Sequence, residues 1–220
     1  FLICVGLPIA HGATNEDKLR EANGLNDRAL ILFNVGQYKQ ALPLVEKALR
    51  LRSETLDEKH PEMFQSIINL AQTYAALGRH ADALPHFEKG CQLGIEMLGE
   101  QHLHTLMCLN NLATTYNAIG RPTKALPLNE KTLRLRTETQ GEKHPDTLTS
   151  LSHLAQTYND LGRHAEALAL HEKALRLYTE TLGEKHSDTL GSLNNLAATD
   201  VALGLPAKAL PLNEKALRLY

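Results

Sequence analysis

Five glycines of this 220-residue chain, Gly36, Gly78, Gly120, Gly162 and Gly204, fall at a constant spacing of 42 residues. The text around them returns with the same period. Four copies read Ile67-Ile68-Asn69-Leu70-Ala71-Gln72-Thr73-Tyr74, Leu109-Asn110-Asn111-Leu112-Ala113-Thr114-Thr115-Tyr116, Leu151-Ser152-His153-Leu154-Ala155-Gln156-Thr157-Tyr158 and Leu193-Asn194-Asn195-Leu196-Ala197-Ala198-Thr199-Asp200. A fixed period of roughly 20–50 residues means that one supersecondary unit is stacked on copies of itself. Each unit buries its apolar face mainly against its neighbours, so chain length says little here about domain count. The period also turns the question of function toward extended surfaces, which such arrays offer to partners.

Within a unit, the segment before the glycine has helical spacing. Leu109, Leu112, Ala113, Tyr116 and Ile119 advance by steps of three, one, three and three, which puts them on one stripe. Gly120 fits the stop of that helix, where a left-handed residue costs least without a side chain. A second helix follows through Ala125, Leu126, Leu128, Leu133 and Leu135. Its outer face carries Glu130 and Arg134, a pair repeated as Glu46/Arg50, Glu172/Arg176 and Glu214/Arg218 and read as a solvated face. Two alanine registers, 29/71/113/155/197 and 41/83/125/167/209, mark places where helix axes come close. Pro43, Pro85, Pro127 and Pro211 sit near the start of the second helix and predict a loosened or bent first turn.

The loop between units also repeats: Glu58-Lys59-His60-Pro61, Glu142-Lys143-His144-Pro145-Asp146 and Glu184-Lys185-His186-Ser187-Asp188. Proline suits the first helical position, and an acidic residue in the next turn meets the positive helix end. About ten helices, two per period and without strands, are expected.

The order Leu112-Ala113-x-x-Tyr116-x-x-x-Gly120, with Ala125 five residues on, resembles the tetratricopeptide repeat signature. The usual unit has about 34 residues. Here it has 42, with a longer second helix and a Gly-Glu-Lys-His-Pro-Asp loop, which resembles the repeats of kinesin light chains and of kinesin-light-chain-like bacterial proteins. The resemblance covers roughly residues 20–220, five units. The signature tryptophan position holds Leu109, Leu151 and Leu193, and the tyrosine becomes Asp200 in the last copy and Leu32 in the first.

The resemblance implies an all-α, right-handed superhelical solenoid whose first helices line a concave face. It implies a protein–protein interaction scaffold that holds a peptide or partner protein there. Carried over by register, the residues facing that groove are Asn69, Gln72, Asn110, Asn111, Asn117, His153, Gln156, Asn159, Asn194 and Asn195. An amide both donates and accepts, which suits a ligand backbone. The other reading of the same register is hydrogen bonding between neighbouring helices. The basic residues that clamp acidic ligands in some relatives are not matched, so a strongly acidic peptide is disfavoured. The runner-up function is a regulatory or substrate-docking arm of a larger enzyme, caspase-like or nucleotide-binding.

Other classes find little support. The formal net charge is −2, aromatics make up 5% and there is no tryptophan, so neither nucleic acid nor a membrane is an expected partner of the repeats. Of 11 histidines, His60, His102, His144 and His186 recur once per unit, too far apart for one metal ion and best read as loop structure. His171-Glu172 lacks the remainder of an H-E-x-x-H run, and no Walker loop or G-x-S-x-G is present. No cofactor, metal or catalytic residue is expected. Cys4, Cys91 and Cys108 suggest no disulfide framework. Cys91, in register with Leu49, Leu133, Leu175 and Leu217, reads as a small core residue, and Cys108, in register with Ser66, Ser150 and Ser192, as an ordinary helix residue.

Residues 1–13 stand outside the period. Phe1 to Ile9 is apolar, and Ala10-His11-Gly12 has the form of a signal-peptidase site, so this segment reads as the remnant of a secretory signal. The rivals are a buried cap and a membrane segment, for which it is too short. The signal reading implies export or a periplasmic location, and its rivals a cytoplasmic one. Compared with earlier units the last stops in mid-helix at Tyr220, so the repeat domain, residues 14–220, is read as truncated at its C-terminus.

Overall fold

The computed structural model describes residues 14–219. The expected signal-like segment at 1–13 lies outside the described residues. Ten helices are found among them: α1 (Asn15–Asn34), α2 (Tyr38–Ser53), α3 (Pro61–Ala76), α4 (His80–Leu98), α5 (Leu103–Ala118), α6 (Pro122–Gln140), α7 (Pro145–Asp160), α8 (His164–Leu182), α9 (Ser187–Ala202) and α10 (Pro206–Leu219). No strand occurs among the described residues. Two compact units divide at Arg79 and His80. The first holds α1–α3 and the second α4–α10. Odd-numbered helices are the first of each pair and even-numbered helices the second.

Local chemistry sets the ends. Thr14 caps α1 through a capping box with Asp17. The recurrent loop histidines are helix caps: Nδ1 of His60, His102, His144 and His186 accepts the backbone N–H two residues on, at 3.2–3.3 Å. Gly162 stops α7 with φ +73, a conformation that costs a side-chain-bearing residue strain. The internal prolines leave their helices continuous: Pro43, Pro127 and Pro211 lie inside α2, α6 and α10.

All ten register alanines are at most 2% exposed, as expected where helices cross closely. Around them pack apolar clusters. In the first unit Ala29, Ala41, Val45 and Leu70 form one. In the second, Leu148, Leu151, Ala174, Leu177 and Tyr178 form another, and Leu190, Leu193 and Ala216 a third.

Two readings need correction. Cys91 on α4 and Cys108 on α5 are joined by a disulfide, with Cα atoms 5.4 Å apart. Periodicity places each residue on its own helix but does not show that the two faces meet. The outer-face glutamates are also bound differently. Glu46, Glu88 and Glu130 accept hydrogen bonds from the hydroxyls of Tyr74, Tyr116 and Tyr158 at 2.8, 2.5 and 3.1 Å. Arg134 pairs instead with Glu138, one turn further along α6. Burial and the Glu88 bond push the Tyr116 phenol up to about 12.

Candidate functional site

The first helices carry a buried threonine at one register position. Thr73, Thr115, Thr157 and Thr199 are almost wholly buried. Each hydroxyl donates to the carbonyl four residues back, at 2.7–2.9 Å. Its oxygen can still accept, and at Thr157 and Thr199 it accepts from the preceding repeat. Asn117 Nδ2 donates to Thr157 Oγ1 at 2.7 Å, and Asn159 Nδ2 to Thr199 Oγ1 at 2.8 Å. Asn129 on α6 donates to Thr157 as well, at 2.8 Å. These amides tie α5 to α7 and α7 to α9.

The polar residues singled out from the sequence therefore fall into two sets. In the first unit Asn69 is 5% exposed; its Nδ2 donates to Asn26 and its Oδ1 accepts from Gln65, both at 2.7 Å. Gln72 lies beside it on a cavity of about 20 Å³, room for about one water. In the second unit Asn117 and Asn159 brace helices, and Asn159 Oδ1 also lies 3.1 Å from His164 Nδ1. Asn110 is buried, with an Oδ1 that meets no partner. Asn111 is half-buried, while Asn194 and Asn195 are exposed.

His153 and Gln156 on α7 stand between two open cavities. One, of about 250 Å³, lies between α5 and α7 and is lined by Thr114, Asn117, His153, Gln156 and Asp160. The other, of about 340 Å³, lies between α7 and α9 and also touches Asn195. Burial holds the His153 imidazole below its ordinary pKa, and the nearby Arg136 charge acts the same way. Its Nδ1 has no partner. A neutral imidazole and an amide side by side can donate and accept without carrying charge.

The larger cavity includes residues that the register of the first helices alone does not reveal. Tyr178 reaches it from a second helix, and Thr149, Asp188, Gly191 and Ser192 complete one side. The visible signal was a break in the period, since Tyr178 stands where Arg52 and Arg136 stand in other units. Among the described residues no group of three or more His, Cys, Asp or Glu is arranged to hold a metal. No described helix is long and apolar enough to cross a membrane.

Paired helices on a 42-residue period, closed by alanine contacts and a glycine stop, define a helical-repeat protein. The tetratricopeptide repeat model matches residues 20–96, 105–178 and 146–220, and the chain belongs to that family. Among solved structures it is similar to nearly identical TPR-like repeats assigned to a kinesin light chain of Podosopora anserina: 27% identity, 92% of this chain and 95% of that one covered, TM-score 0.77. It is also similar in fold to BtubC (BKLC) from P. vanneervenii, at 20% identity over 94% and 91% of the two chains, TM-score 0.71. A Rap protein solved with Competence and Sporulation Factor shares the fold at 13% identity, TM-score 0.74, over 94% of this chain and 55% of that one. No curated protein matches the chain.

Proposed function

We propose that this chain is a protein-interaction scaffold that holds an extended peptide, or an extended segment of a partner protein, along α5, α7 and α9. The carrying observation is the pair of open cavities that share His153 and Gln156 and continue to Asn195. Amide and imidazole groups there suit a peptide backbone, whose N–H and C=O alternate. The family supports the reading, since tetratricopeptide repeats generally serve as non-catalytic interaction modules. The fold shared with the Rap protein solved with Competence and Sporulation Factor agrees with it.

Asn111, Gln156, Asn194 and Asn195 are the residues whose exposure suits ligand contact. Asn117 and Asn159 hold the face in shape. The test is a peptide selected on the immobilised protein from a random library, then titrated against variants. Asn195→Ala should weaken it by about 0.5–1.5 kcal/mol, the net worth of a neutral hydrogen bond, with an unchanged unfolding midpoint. Full affinity in both Asn195→Ala and Gln156→Ala would reject this face as the binding surface.

A further inference from the structure

Two arginines of this chain show what the joint between a second helix and the next first helix is built to hold. Arg52 on α2 is buried. Its Nη1 donates to Ser66 Oγ at 2.5 Å and, more weakly, to Glu62 O at 3.4 Å, and its Nη2 donates to Asn23 Oδ1 at 2.6 Å. The Glu62 carboxylate lies 3.5 Å from Nε. Arg136 on α6 repeats the arrangement two periods on, donating to Asp146 O at 2.6 Å and Ser150 Oγ at 3.0 Å.

One further period brings the register to Tyr178 on α8. The groups that receive the guanidinium persist there. In register, Asn23, Glu62 and Ser66 become Thr149, Asp188 and Ser192, and all three line the cavity of about 340 Å³ together with Tyr178. The carboxylate is retained and the cation is not. Ser192 Oγ is buried and meets no partner, whereas Ser66 and Ser150 are both satisfied by their arginines. Gly191 borders the same space, and a Cβ added there would meet nothing within 4 Å. The cavity, about 340 Å³ and open to solvent, is ample for a guanidinium and its methylenes.

We propose that this cavity is a guanidinium site, which takes an arginine side chain of the bound peptide where Arg52 and Arg136 fill their own joints. The proposal rests on the peptide-binding reading above and names one side chain of the ligand. A guanidinium is suited to the site because it is planar, carries five donors and is weakly hydrated for a cation. Asp188 supplies the opposite charge, Ser192 and Thr149 supply oxygen acceptors, and the Tyr178 ring supplies an aromatic wall of the kind cations favour. His153, the nearest titratable base on α7, is held toward its neutral form and does not oppose a cation. Lysine, a compact and strongly hydrated point charge, fits this fork of acceptors less well.

The test titrates isotopically labelled protein with the pentapeptide acetyl-Ala-Ala-Arg-Ala-Ala-amide and with its citrulline counterpart, which has the same shape and no charge. The arginine peptide should shift the backbone amides of Gly191 and Ser192 and bind at least about tenfold more tightly than the citrulline peptide, as expected for hydrogen bonds to a charged group. Tyr178→Arg, which supplies the guanidinium from the chain itself, should remove that preference while keeping or raising the unfolding midpoint. Ser192→Ala should reduce the preference without filling the cavity. Equal binding of both peptides, weakened in Asn195→Ala, would overturn the guanidinium site and leave the groove standing. Binding of neither pentapeptide would overturn the guanidinium site, while the groove stands or falls with the library-selected peptide. N-acetylarginine amide binding as tightly as the pentapeptide would assign the site to free guanidinium compounds and overturn the peptide-borne arginine.

Discussion

Arg136 on α6 donates to Ser150 on α7 at 3.0 Å, both residues almost wholly buried, and the pair spans a joint between successive repeats. The same register takes different solutions elsewhere. Arg52 and Ser66 repeat the bond between α2 and α3. Between α4 and α5 the arginine is Gly94 and the serine is Cys108, and a disulfide to Cys91 makes the tie instead. Between α8 and α9 the serine remains as Ser192 without a partner. The tyrosine–glutamate bond present at the other three joints is also missing there, because Asp200 stands opposite the Glu172 register.

Removing Arg136 should be costly although it has no close ion pair. Arg136→Ala leaves the buried Ser150 hydroxyl without its partner and removes the second hydrogen bond to the Asp146 carbonyl, so stability should fall by about 1.5–3 kcal/mol. Arg134→Ala, two residues away on the exposed face, loses only its pair with Glu138 and should change stability by less than about 0.5 kcal/mol. Equal urea midpoints for the two variants would contradict the assignment.

The Cys91–Cys108 bond closes a loop with a sequence separation of 17. A loop of that length should contribute about 3 kcal/mol by restricting the unfolded chain. Cys91→Leu combined with Cys108→Ser restores what the other repeats carry at those positions. The parent should lose thermal stability on reduction, whereas the double variant should unfold at one temperature with and without reductant.

His171 on α8 is wholly buried and neither ring nitrogen has a partner. Burial lowers its pKa to about 4 from an ordinary 6.5. A lowered histidine pKa means that the unfolded chain takes the proton first. The contribution to stability is thus fully present above about pH 6.5 and is lost progressively as pH falls toward 4. His171→Asn places at this register the residue found at Asn129, which bonds Thr157. That variant should show a shallower loss of stability between pH 6.5 and 4, measured by denaturant unfolding across the window.

Helix phase is tested by two alanines. Ala155 is wholly buried and Ala198 is exposed on α9. Ala155→Leu should overpack a helix crossing and cost about 1–3 kcal/mol. Ala198→Leu should stay within about 0.5 kcal/mol of the parent. Matching midpoints would mean that the faces are wrongly assigned.

The 42-residue period determined the helix pairs, the alanine contacts and the glycine stops, because each depends on spacing along a helix and on residue size, both local properties. It also located the polar register of the first helices. Which members of that register brace and which remain open was decided by tertiary structure. Asn117 and Asn195 read alike in sequence, yet Asn117 reaches Thr157 on the neighbouring helix and Asn195 faces a cavity. Cys91 and Cys108 became partners only when α4 and α5 packed face to face. Arg52 and Arg136, which the period did not single out, are buried donors. Periodicity says which residues share a face of one helix. Burial and hydrogen-bond partners depend on how the next helix is set against it, and that is a property of the packed pair.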